Sequence, residues 1–137
     1  MDYTQSNTKR GPIMRLANSD LTGMEGRMVK IVNDGGVAKA DLPAGVTEVT
    51  PYVLAEGAAA GAEVKLIPLE SGAQVRVVLN GTNVVPGDKI VAYAGGQAGK
   101  ATKYASGAAF VIGIAEQVGD TDGQYLLIRP LPIYLAA

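Results

Sequence analysis

The sequence predicts an all-β domain of short strands, and three features predict it. Turn-forming pairs recur at short intervals, the segments between them are rich in β-branched and apolar residues, and no long stretch has helical amphipathic spacing. About eight to ten short strands fit between the turns, a spacing typical of small barrels and sandwiches. The 18 glycines, set in a chain that is 47% hydrophobic, imply tight turns and close backbone approaches around a core rather than low-complexity disorder.

Taken in order, residues 1–20 are the least core-like segment. They are polar through Arg10, are broken by Gly11-Pro12, and offer only Ile13, Met14 and Leu16 for burial. Two readings stand: a frayed terminus, or an extended arm that orders on a neighbouring subunit, with Tyr3, Ile13, Met14 and Leu16 as anchors and Lys9, Arg10 and Arg15 as polar contacts. An all-β domain over residues 21–137 follows.

Gly26 to Val32 reads as a strand, and Asn33-Asp34-Gly35-Gly36 is the strongest hairpin signal in the chain, with Val37 to Ala40 returning beside it. Thr47 to Leu54 is strand-like but interrupted by Pro51, which demotes it to an edge position or two short pieces. Glu56 to Gly61 reads as a loop. Ala62 to Ile67 alternates, with Val64 and Leu66 on one face, and Gln74 to Asn80 does the same with Val75, Val77 and Leu79. Pro86-Gly87 sets a type II turn, because proline presets the first central φ and glycine accepts the positive second one. That turn feeds a strand at Lys89 to Tyr93. Ala94 to Gly99 reverses the chain, Lys100 to Tyr104 returns, and Ser106-Gly107 turns again. Phe110 to Ala115 is apolar on both faces, which predicts a central, buried strand. After the Gly119 to Gly123 turn comes a last long strand, Tyr125 to Arg129, which Pro130 and Pro132 are expected to end.

Composition narrows the function. The chain has no Cys, His or Trp, which removes thiolate metal sites, disulfides, the cysteine nucleophile and the commonest general base. Charge is nearly balanced, with 12 Lys plus Arg against 13 Asp plus Glu, so neither the basic face nor the interleaved aromatics of a nucleic-acid binder is evident. No apolar run approaches the roughly 20 residues of a membrane span. The polar N-terminus lacks the apolar region of an export signal, which predicts synthesis in the cytoplasm.

No motif carries chemistry. Glu116, Asp120 and Asp122 lack calcium-loop spacing and read as solvated turn residues. Gly95 to Lys100 lacks the Ser or Thr after the lysine of a phosphate loop, and it joins two strands. Ser71 and Ser106 have no histidine to activate them, and nothing in the sequence brings two carboxylates together as in a glycosidase. The expectation is a non-enzymatic protein without cofactor or metal.

One resemblance gives a function. The order PGDKIVAY, then GKATKY, then FVIGIAEQV, then GD and a strand ending RPLP resembles the capsid decoration, or cement, proteins of tailed bacteriophages. It covers roughly Asn80 to Pro132 and, more loosely, the Gly26 to Lys39 hairpin. It implies a single small barrel or β-tulip-like domain with an extended N-terminal arm, bound as a homotrimer to the outer surface of the expanded head. The implied partner is the major capsid protein, with no direct nucleic acid or membrane contact. The apolar tail Ile133, Tyr134, Leu135 either tucks into its own core or packs on a neighbouring subunit. Rival readings are a phage tail or baseplate module, a carbohydrate-binding β module, and a biotinyl-like carrier. The carrier would need a lysine displayed between hydrophobic flanks at a hairpin tip, and no lysine here is so placed.

Overall fold

A computed structural model describes residues 11–70 and 72–136, and its regular structure is entirely β. The first half supplies β1 (Ile13–Ala17), β2 (Met28–Asp34), β3 (Val37–Asp41), β4 (Tyr52–Glu56) and β5 (Glu63–Pro68). These close into a five-stranded barrel of order β1-β3-β2-β4-β5, mixed because β1 runs parallel to β3 while the other pairs are antiparallel. The second half supplies β6 (Val75–Val78), β7 (Lys89–Ala92), β8 (Ala101–Lys103), β9 (Ala109–Ala115) and β10 (Tyr125–Leu135), an antiparallel sheet of order β6-β10-β9-β7-β8. A single parallel bridge between Leu79 and Ala101 brings the end of β6 to β8 and curls this sheet back on itself.

Local chemistry explains most elements. Gly35 and Gly36 take φ of 60° and 89°, the two positive values that a tight hairpin turn demands, and Asp34 pairs with Val37 across it. Asn33 Oδ1 accepts the Gly36 N–H at 2.8 Å, which fixes the turn further. Pro51 falls just before β4, where its carbonyl accepts the Leu69 N–H at 2.9 Å and no amide is needed from it. The alternation in β5 and β6 buries Val64, Leu66, Val75 and Val77, and the doubly apolar β9 lies at the centre of its sheet.

Two expectations are corrected. The first is the arm through residue 20: from Ile13 the chain is β1, bonded to β5 on one edge and to β3 on the other. Ala17 is buried and Ile13 packs against the barrel core, so this segment closes the barrel instead of leaving it. The second is the stop at Pro130, because β10 continues to Leu135. Glu116 N–H donates to Leu127 O, so the amides of Leu127 and Arg129 face β9 and the nitrogen of Pro130 faces the other way. The β6 partner ends at the Ile128–Val75 pair, so that nitrogen meets an open edge. Pro132 lies in a β-bulge, where the register shifts between Pro130 and Ile133 and no ladder bond is required. Gly113 makes the close approach possible, since a Cβ there would collide with Arg129 O and lie 3.0 Å from the Pro130 Cα.

The two halves hold their cores differently. Ala17, Leu21, Val29, Ala40, Leu54, Val64 and Leu66 fill the barrel, all from residues before 70. The sheet core is built on Val77, Leu79, Ile90, Phe110, Ile112, Leu126 and Ile128, and it also takes Met28 and Val53 from the barrel strands. Backbone bonds reinforce the seam: Val78 N–H donates to Gly26 O at 2.9 Å, and Met28 N–H to Gly99 O at 2.7 Å. Gly26 is required at the crossing, because a Cβ would stand 2.6 Å from Val78 Cγ2 and 2.8 Å from the Tyr125 ring.

Candidate functional site

The Gly95 to Lys100, Glu116 and Gly119 to Gly123 segments, read from sequence as turns and solvated turn residues, are held by turn and side-chain hydrogen bonds. In Gly95 to Gly99 the amides turn inward, with Gly99 N–H donating to Tyr93 O at 2.9 Å and Ala98 N–H to Gly95 O at 3.1 Å, so they do not converge on a phosphate. Asp122 accepts the Gly81 N–H at 2.7 Å, and Gln124 Oε1 accepts the N–H groups of Asp120 and Thr121. Glu116 accepts from Gln74 and Arg129, and the Gln74 amide, then Arg129, hold its carboxyl below the usual range despite some desolvation. Among the described residues, no three Asp or Glu side chains gather closely enough to hold a cation.

Three surfaces remain. The first is the outside of the barrel along β1. The pleat turns Met14 and Leu16 outward while Ile13 and Ala17 turn to the core, and both outward residues are exposed. Met14 pairs with Lys65, and Leu16 lies between Glu63 and Lys39, so apolar and charged positions interleave. Val37 and Ile67 on the neighbouring strands are exposed as well. Arg15 is exposed and donates to its neighbour's carbonyl, Met14 O, at 2.8 Å. Tyr3, Lys9 and Arg10, the remaining predicted arm contacts, lie outside the described residues.

The second surface is the outer face of the sheet at the end of β10. Lys89, Val111, Ile114, Leu131, Pro132 and Ile133 line an open, chiefly apolar groove of about 440 Å³. The predicted tail contacts divide here. Ile133 and Tyr134 are about half exposed, whereas Leu135 packs against Val91, Ala109 and Val111. One residue of the tail is therefore tucked in, and two are left outward. The β1 surface and this groove belong to different sheets, so the structure does not bring the two predicted contact sets into one sheet.

The third surface had no signal of its own in the sequence. A cleft of about 350 Å³ opens where the barrel meets β6, lined by Glu25, Gly26, Val53, Ala55, Ile67, Arg76 and Tyr125 among others. Its residues come from five separate stretches of the chain, and only the alternation of β6, which turns Arg76 away from the core, hinted at an outward cation.

No protein-family model matches the chain, and no curated protein matches it. Among solved structures, the chain is similar to the N base of head fiber gp8.5 of bacteriophage phi29, with a TM-score of 0.64 and 19% sequence identity. The likeness covers 92% of this chain and 98% of that one, so both the barrel and the curled sheet are shared.

Proposed function

We propose that this chain is a non-enzymatic structural protein of a bacteriophage head, a decoration or cement protein that binds the outer surface of the expanded capsid and bridges neighbouring major capsid protein subunits. The observation that carries this reading is the shared fold: nearly the whole chain matches the base of a protein that belongs to a phage head. The surfaces support it. Exposed apolar residues lie on both the barrel exterior and the sheet's outer face, on strands of two different sheets. Weak contacts of that kind add by avidity when they repeat over a lattice. In this reading the protein works as a homotrimer, Met14, Leu16, Ile133 and Tyr134 are contact residues, and Tyr3, Lys9 and Arg10 extend the contact from the preceding segment.

The test is co-sedimentation with empty expanded heads that lack the protein, against unexpanded heads. Saturable binding to expanded heads alone, at a fixed ratio to the major capsid protein, is the expected result. Binding to neither form would reduce the likeness to a shared scaffold. A truncation lacking residues 1–10 tests the preceding segment while keeping β1, and it should bind expanded heads at least tenfold more weakly with an unchanged melting temperature. Removing residues 1–20 would also remove the strand that closes the barrel, and loss of binding would then say nothing about contacts.

A further inference from the structure

The cleft between barrel and sheet contains an open stretch of strand edge. Which groups of β6 face it follows from three backbone bonds. Leu79 N–H donates to Gln124 O at 2.8 Å on the β10 side, so Val77 and Val75, two and four residues earlier, also bond toward β10. Val78 N–H donates to Gly26 O, and Asn80 N–H to Ala101 O, both on the opposite edge. The N–H and C=O of Arg76 therefore point to that same opposite edge. Gly26 covers Val78 and Ala101 covers Asn80, but among the described residues no backbone group covers Arg76. Its guanidinium is outward and has no carboxylate within ion-pair distance among the described residues. Val53, Ala55 and Ile67 of the barrel give the cleft an apolar floor beside this edge, and Glu25, which also lines it, is engaged by the Gly57 N–H at 2.8 Å.

A short edge, an apolar floor and an unpaired cation are the parts of a strand-addition site. We infer that the β6 edge at Arg76 is a slot for a short extended segment of the major capsid protein, with an acidic side chain opposite Arg76 and an apolar one on the Ile67 floor. This rests on the head-binding reading above. The backbone of the segment would donate to and accept from Arg76, and its carboxylate would add a charge-assisted contact. A volume of about 350 Å³ holds only one or two side chains, so the segment is short. A second copy of this chain fits poorly. Edge-to-edge pairing of two β6 strands about a two-fold axis at this position would set Arg76 against Arg76, and like charges directly opposite are destabilising.

Three variants test it by co-sedimentation with expanded heads, with sedimentation velocity and thermal melting as controls. Arg76→Ala removes the cation and keeps the N–H. Arg76→Pro removes both, yet costs no bond to β10, since this N–H faces away from that strand. Binding weaker by about tenfold for Ala and about a hundredfold for Pro is expected, with melting temperatures near wild type. If Pro disturbs the fold, Arg76→Glu decides in its place, with a loss at least as large as for Ala. Wild-type binding retained by the variants would overturn the slot and leave the head-binding reading standing. Failure of the wild-type protein to bind heads would overturn both. An Arg76-dependent change of mass without heads would place a second copy in the slot and overturn the capsid segment.

Discussion

The barrel and the sheet are of similar size, yet they are not equal partners. Every residue in the barrel core is supplied by the barrel's own strands and loops. The sheet core borrows Met28 and Val53, and its outer cluster leans on Val46, whose carbonyl also accepts the Phe110 N–H at 2.8 Å. The barrel core cluster takes no side chain from the sheet, but the sheet without the barrel would open a gap where Met28 and Val53 stand. One half is thus a scaffold and the other is a dependant, although both are all-β and both are rich in turns.

That asymmetry can be attacked where the sheet is tightest. Gly113→Ala places a methyl group against Arg129 O and the Pro130 Cα, backbone atoms that cannot rotate aside. A loss above about 3 kcal/mol is expected in denaturant unfolding. Amide exchange should rise across β9 and β10 first, with the barrel amides still protected; uniform loss in both halves would break the comparison. Met28→Ala should cost about 3 kcal/mol, the usual range for emptying a buried methionine site. Because Met28 belongs to the barrel by chain and to the sheet by packing, its loss should again raise exchange in β6 to β10 more than in β3 and β5. A change confined to the barrel would show that the sheet stands alone.

The smallest effect lies on the barrel loop that reaches toward the sheet. Lys30, and then the Ala44 N–H, hold the Glu48 carboxyl below its usual range, with Lys30 Nζ at 2.9 Å. A lowered folded-state pKa means stability that is present above the unfolded value and is lost as pH falls through the folded one. Wild type should therefore melt slightly higher than Glu48→Gln at neutral pH, and the two curves should converge in acid. Curves that stay parallel into acid would show that the pair contributes nothing, as is common for partly exposed ion pairs.

Much of this architecture was legible in the sequence because its strands are set by local chemistry. The Asn33 to Gly36 turn, the alternation around Val64 and Val77, and the doubly apolar Phe110 to Ala115 each carry their own instruction. What was not legible depends on partners. β1 is five residues of mixed polarity, and it becomes a strand only because residues 37–41 and 63–68 offer it two edges. Pro130 reads as a terminator until β6 is seen to end beside it, which leaves its nitrogen nothing to bond. The contact surfaces divide the same way: Ile133 and Tyr134 were visible as an apolar tail, while Arg76 gained its setting only when Gly26, Ile67 and Tyr125 came together around it.

The closing of the barrel by β1 also bears on the order in which the barrel's strands are expected to come together. Its antiparallel partner pairs Ile13 with Leu66, so the two ends of the barrel's chain must meet across all its other strands. Contacts of such separation pay their loop-closure entropy before they return any stability, and they form slowly. The β2–β3 hairpin, closed by its own Gly35-Gly36 turn, has the shorter loop to close and is expected to form earlier, while β1 gains its second edge only when residues 63–68 are in place. β1, the first strand of the described residues, is thus expected to be among the last pieces of the barrel to lock.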